Sequence, residues 1–174
     1  MSRFIILLAV VLLCNNLSAA DYPNDERFTP YTYKSVGDND LTLWVIQPQR
    51  DTPGEKLPVI IFFFGGGWIT GTVAQFEHQA VYLARRGMVA VLAEYRTALS
   101  DGVFPHECLK DAKSAIRYLR TYSDEIGIDP DRIVAAGGSA GGHLAAATAY
   151  IGKYDHDDDD LAVSPRPDAL VLYN

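Results

Sequence analysis

Ser139 lies inside a run of small residues, Gly137-Gly138-Ser139-Ala140-Gly141-Gly142, which spells Gly-x-Ser-x-Gly over 137–141. A serine hydroxyl becomes a useful nucleophile for acyl transfer when a base activates it and the backbone presents it clear of its neighbours. A tight strand-to-helix turn gives that presentation. Side chains two residues before and two after the serine would collide across such a turn, so both positions call for glycine. The helix that follows points its free N–H groups and positive dipole end at charge developing on a reacting oxygen.

A second glycine cluster, Gly65-Gly66-Gly67-Trp68, stands upstream. Acyl transfer needs about two backbone N–H donors aimed at the oxyanion, and losing one typically costs roughly 2.7–4 kcal/mol. Glycines offer such donors with no side chain in the way. A phosphate-cradling loop is the competing use, but no Lys-Ser or Lys-Thr follows these glycines and no Gly-x-Gly-x-x-Gly occurs there. The serine motif alone also fits a glycine-rich helix cap. Its place between an apolar strand and a helix, with the second glycine loop upstream, favours the nucleophile.

The elements that must position these loops alternate in type. Residues 29–36 and 41–47 read as strands around the turn-rich Gly37-Asp38-Asn39-Asp40, which predicts a hairpin. Residues 50–58 form a polar loop, and 59–64 an apolar run suited to a strand buried on both faces. Phe76, Ala80, Leu83 and Ala84 have helical spacing, stopped by Gly87. Residues 88–95 predict another buried strand and 96–104 a loop. A long helix opens at Pro105, runs to about Ile126 and closes at Gly127. A third buried strand over 132–136 leads into the serine turn, followed by an Ala-rich helix over 144–150. Residues 155–167 are loop and 169–173 begin one more buried strand. Alternating apolar strands and helices predict an α/β fold with a mostly parallel sheet, an antiparallel N-terminal edge and helices on both faces.

The 174 residues are 48% hydrophobic and 21% charged, which excludes a disordered tail, a coiled coil and a collagen-like chain. Lys and Arg total 15 against 22 Asp and Glu, for a net charge of −7. No basic patch dominates, which argues against nucleic acid or an anionic membrane as partner. Five of the acids are Asp155 and Asp157 to Asp160, so the acidity is local.

Arg3, the apolar residues 4–13 and the small residues Ser18-Ala19-Ala20 form the pattern of a signal peptide over 1–20, cleaved before Asp21. Ten apolar residues are too few for a bilayer core of about 30 Å. The expectation is a secreted or periplasmic domain over 21–174, free of the membrane after cleavage. Cys108 would then be its single thiol. It shares a helical stripe with Ala112, Ala115, Ile116 and Leu119, which predicts a buried apolar role.

Residues 59–68, Ala93-Glu94-Tyr95-Arg96, Phe104-Pro105 through Arg120, and Ile128-Asp129-Pro130-Asp131-Arg132-Ile133 through Leu144 together resemble the α/β-hydrolase superfamily. The similarity is greatest to its hormone-sensitive-lipase-like and acetyl-esterase branches, including secreted acetyl xylan and feruloyl esterases, and covers about residues 40–174. It implies a carboxylesterase acting on a small-molecule or polysaccharide ester. Ser139 would be the nucleophile, the N–H groups of Gly66, Gly67 and Ala140 would hold the oxyanion, and no metal or organic cofactor would take part.

Two features depart from that pattern. The family's glycine loop usually opens with histidine, a loop organiser, where this chain has Phe64. Packing against Trp68 and residues 60–63 is expected to fix the loop instead. The superfamily also orders its triad as serine, acid, histidine. The acid and histidine are therefore expected beyond Asn174, with the C-terminal part of the fold missing. His143, one turn into the serine helix, resembles a structural residue, and His156 lies in a loop before the next strand. Residues 155–160 lack the glycine and terminal glutamate of an EF-hand, so a solvated surface loop is expected rather than a Ca²⁺ site. Asp168 is expected to mark a strand boundary. Alternatives are a serine peptidase of the prolyl-oligopeptidase type, whose propeller domain has no counterpart in this N-terminus, an aryl formamidase, and a non-catalytic binding module of the same fold.

Overall fold

The computed structural model describes residues 23, 25–49, 52 and 54–173. The signal-peptide expectation falls on residues outside this set. The chain folds as β1 (Thr29–Val36), β2 (Asn39–Ile46), β3 (Leu57–Phe63), a 3₁₀ turn (Val73–Phe76), α1 (Glu77–Ala84), β4 (Val89–Ala93) and α2 (Ala98–Asp101). It continues through α3 (Pro105–Thr121), α4 (Ser123–Ile126), β5 (Ile128–Gly138), α5 (Ala140–Tyr150) and β6 (Ala169–Tyr173). Among the described residues, no helix is long and apolar enough to cross a membrane.

The six strands form one sheet in the order β1-β2-β4-β3-β5-β6. β1 pairs antiparallel with β2 and β2 antiparallel with β4. β4, β3, β5 and β6 run parallel. The expected α/β fold with an antiparallel N-terminal edge is present.

Crossover handedness then decides where a site can form. The step from β3 to β4 moves one way across the sheet, while β4 to β5 and β5 to β6 move the other way. Right-handed crossovers place α1 on one face and α3 with α5 on the opposite face. The loops leaving β3 and β5 diverge to opposite faces although the two strands are neighbours. A crevice opens between their C-terminal ends, the usual ligand position in an open parallel sheet. The Gly65–Gly67 loop leaves β3 and Ser139 leaves β5, so both glycine motifs arrive at this crevice.

The core explains why these strands are continuous apolar runs. Every residue of β4 is buried, as are Ile61, Phe62, Phe63, Ile133, Ala135 and Ala136. Each large side chain among them contributes roughly 1.5–3 kcal/mol relative to exposure. Four details differ from the sequence expectation. The long helix breaks at Tyr122 (φ −101°, ψ 25°) into α3 and α4. The loop after β4 holds the one-turn helix α2, with Thr97 accepting from the Ser100 N–H. β5 starts early at Ile128, and its pairing with β3 skips from Leu57–Ile128 to Val59–Ile133. Pro130, which has no N–H to give a ladder, lies in that skip. β6, expected to be buried, leaves Val171, Leu172 and Tyr173 between 37% and 46% exposed. It pairs with β5 on one side, and no described strand covers its other edge.

Candidate active site

The turn between β5 and α5 holds Ser139 at φ 51°, ψ −117°. A non-glycine residue with positive φ costs of order 1–3 kcal/mol and persists only where its surroundings fix it. Here they do. The Ser139 N–H donates to the Tyr173 carbonyl at 3.0 Å, and the Ser139 carbonyl accepts from His143 N at 2.9 Å. A methyl group on Gly141 would fall 2.0 Å from the Phe63 carbonyl oxygen, and one on Gly137 would fall 2.4 Å from the Gly141 backbone. The two glycines flanking the serine therefore let α5 start in direct backbone contact with the end of β3.

The glycine loop closes against the same turn. A methyl on Gly65 would lie 2.7 Å from the Gly138 carbonyl oxygen. Gly66 has φ 139°, and a Cβ there would overlap the Thr70 carbonyl, so glycine is required on both counts. The loop folds around the Gly66 carbonyl, which accepts from Ile69 N at 3.1 Å and Thr70 N at 3.2 Å. It is laced to α2 by Ala98 N to the Trp68 carbonyl and Leu99 N to the Ile69 carbonyl, both 2.9 Å. Among the described residues, no backbone carbonyl accepts from the N–H of Gly66 or Gly67. The loop's own bonds leave those two donors uncommitted.

Gly65, Gly66, Gln75, Phe76, Ser139 and Tyr173 line an open cleft of about 600 Å³. The structure thus brings two of the sequence-selected residues, Ser139 and Gly66, to one cleft. Gly67 is exposed beside it and does not line it. Ala140, the first residue of α5, is buried with its N–H at the helix start, where the dipole is positive.

Phe64 is buried, as expected, but its partner differs. Its ring stacks on Tyr95 with centroids 4.0 Å apart, and the Tyr95 hydroxyl donates to the Phe64 carbonyl at 2.7 Å. Burial pushes the Tyr95 pKa well above its ordinary value, so the hydroxyl keeps its proton. Trp68 meets the His143 ring edge-on at 5.2 Å instead, and its Nε1 is buried with no hydrogen-bond partner among the described residues. Gln75 was not signalled by any motif. Its Oε1 accepts from the Gly65 N–H at 2.5 Å.

Neither later histidine lines the cleft. His143 is exposed on α5. His156 Nε2 lies 2.8 Å from Oδ1 of the fully buried Asp111, which also holds Arg96 through Nε at 2.9 Å and Nη2 at 2.8 Å. The acidic segment 155–160 is a surface loop, as expected, with Asp157, Asp158 and Asp160 exposed, but two of its aspartates turn inward. Asp159 accepts from Lys34, Ser114 and Arg117, and Asp155 pairs with Lys113 and Arg117. Cations on β1 and α3 thus hold Asp155 and Asp159. Asp168 does mark a strand boundary, accepting from Ile133 N at 2.9 Å. Cys108 is buried in α3, and burial, with Asp111 nearby, pushes its thiol up to about 12.

Comparison with known proteins agrees with this architecture. The BD-FAE family profile matches residues 45–168. Esterase 2 of Thermogutta terrifontis superposes with TM-score 0.84 at 43% identity, covering 87% of this chain and 57% of that one. Its propionate-bound form gives the same TM-score and identity over 87% and 56%. Esterase LipC of Mycobacterium tuberculosis is 34% identical over 142 residues, 74% of this chain and 34% of its own. The chain thus spans a little over half of the similar esterase structures and about a third of that curated relative. With a family profile across most of its length and the crevice where the fold requires it, the chain belongs to the BD-FAE family of hormone-sensitive-lipase-like α/β-hydrolases.

Proposed function

We propose that the protein is a serine carboxylesterase in which Ser139 is the nucleophile. The observation that carries this reading is the positive φ of Ser139 at the crevice between β3 and β5, beside a glycine loop with uncommitted amides. The Ser139 hydroxyl attacks the ester carbonyl as a base takes its proton, and the carbonyl oxygen becomes an oxyanion. The N–H groups of Gly66, Gly67 and Ala140 stabilise that charge. Collapse of the intermediate expels the alcohol and leaves an acyl group on Ser139, which water then removes. The base and its acid partner are proposed to come from sequence following residue 174, in keeping with the 57% share of the esterase fold that this chain spans.

The substrate proposed is a small ester with a short acyl group, including acetyl esters of polysaccharides and, as a larger case, feruloyl esters. Support for a short acyl group comes from the propionate-bound relative and from Phe76 and Tyr173, whose rings lie 5.4 Å apart on the cleft wall. Export through a signal peptide over 1–20 is part of the same proposal and rests on the sequence pattern.

The test is hydrolysis of p-nitrophenyl acetate and butyrate by the full-length protein and its Ser139→Ala variant. Loss of nearly all turnover with an unchanged melting temperature is expected. Retention of more than a few per cent of kcat would reject Ser139 as nucleophile.

A further inference from the structure

We propose that Gln75 is a positioning residue for the oxyanion loop, setting the direction of the Gly66 and Gly67 amides by holding the amide of Gly65. The proposal rests on the reading of Ser139 and of those amides given above. Three consecutive glycines have more backbone freedom than any other tripeptide, so a donor array built on them needs anchors. Three anchors hold this loop. The Tyr95 hydroxyl holds the Phe64 carbonyl, Ile69 and Thr70 hold the Gly66 carbonyl, and Gln75 Oε1 holds the Gly65 N–H at 2.5 Å. The first two act on carbonyls. Gln75 alone, among the described residues, fixes a loop amide with a side chain.

Its place is suited to the task. Gly65 is where the loop bears on the serine turn, 2.7 Å from the Gly138 carbonyl oxygen for any added Cβ. The Gly65 N–H and the Phe64 carbonyl belong to one planar peptide group, so Gln75 and Tyr95 grip its two ends. With that plane held, the following Gly65–Gly66 peptide, which carries the Gly66 N–H, leaves it in a set direction. Gln75 sits between Val73 and Phe76, both buried, and Phe76 stacks on Phe62 at 5.2 Å. The backbone under Gln75 is therefore fixed while its side chain reaches the cleft wall. Phe64 cannot donate or accept through its side chain, so the anchoring hydrogen bond comes from ten residues downstream.

The experiment compares Gln75→Met, which keeps the length but removes the acceptor, and Gln75→Ala with the wild type in the full-length enzyme. Active sites are first titrated with paraoxon, so that kcat is expressed per competent Ser139. Expected for both variants is a fall in per-site kcat of about 10- to 100-fold with KM within about twofold. The Ki of a trifluoromethyl ketone, whose adduct carries the oxyanion, should rise by the same factor as kcat/KM falls. A role limited to folding would lower the titrated fraction and leave per-site kcat and Ki unchanged; that result overturns the proposal. Ser139→Ala, run alongside, separates the two ideas: if it is inactive while the Gln75 variants behave as wild type per site, this inference alone fails.

Discussion

The Tyr95 hydroxyl donates to the Phe64 carbonyl at 2.7 Å while the two rings lie stacked 4.0 Å apart, 15° from parallel. One tyrosine thus holds both the backbone and the side chain of the residue that opens the glycine loop. Stacking and hydrogen bond do separable work. Tyr95→Phe keeps the stack and should cost about 0.5–1.5 kcal/mol, with an added penalty for the unpaired carbonyl. Tyr95→Ala also opens a cavity and should cost about 3–5 kcal/mol. Denaturant unfolding of the two variants checks the order. Equal losses would mean that the ring contributes nothing beyond its hydroxyl.

Gly141→Ala should be among the most damaging single-methyl additions. The new Cβ would overlap the Phe63 and Phe64 carbonyl oxygens at 2.0 and 2.3 Å, and those atoms belong to the central strand and its exit. The start of α5 must retreat, carrying Ser139 with it. Displacement of a reacting group by about 1 Å costs roughly 100-fold in rate. The control is Gly152→Ala, where an added methyl meets nothing within 4 Å and φ is not positive. It should be neutral within about 0.5 kcal/mol. Esterase assay and melting temperature of both variants in the full-length protein decide this, and an active Gly141→Ala enzyme would contradict the contact argument.

The serine turn was legible in the sequence because its demands are local. Gly137 and Gly141 are forced by backbone atoms within a few residues of Ser139 or on the neighbouring strand, and apolar runs announce those strands. The order of α1, β4, α3 and β5 was legible for the same reason. Gln75 and the fate of residues 155–160 were not. Nothing near the aspartates says that Lys34, more than a hundred residues away, and Lys113, Ser114 and Arg117 on one face of α3 will meet them. The apolar run of β6 announces a strand but does not by itself set how much of it is covered. Coverage depends on which elements flank the strand.

Cys108 should be unreactive while the protein is folded. It has no exposed surface, donates from Sγ to the Phe104 carbonyl at 3.5 Å, and its pKa is pushed up to about 12 by burial and by Asp111. The thiolate is the reactive form, so at pH 8 almost none is present in the folded state. Iodoacetamide or a chromogenic disulfide should label Cys108 at the rate of unfolding, and denaturant should release full reactivity. Rapid labelling under native conditions would show that the start of α3 opens locally.

The cations that hold residues 155–160 predict how stability depends on pH. The Asp155 carboxyl is held below its ordinary 3.8: burial alone would raise it, but hydrogen bonds from Arg117 and Lys113 outweigh that. Asp158 is also lowered, first by its hydrogen bond to Lys34. A carboxylate lowered on folding adds stability that is complete above the unfolded pKa and is lost as pH falls through the folded value. Lys34 is the opposite case. Burial would lower it, yet hydrogen bonds to Asp158 and Asp159 raise it above 10.5, so its contribution is complete below 10.5 and is lost as pH climbs through the folded value. The melting temperature should therefore be flat between about pH 5 and 9 and fall on either side. Arg117→Met removes a partner of Asp155 and should make the acid limb shallower, leaving the alkaline limb in place. Lys34→Met should flatten the alkaline limb and, through Asp158, soften the acid one as well. An acid limb of unchanged slope in both variants would mean that carboxylates elsewhere set the acid sensitivity.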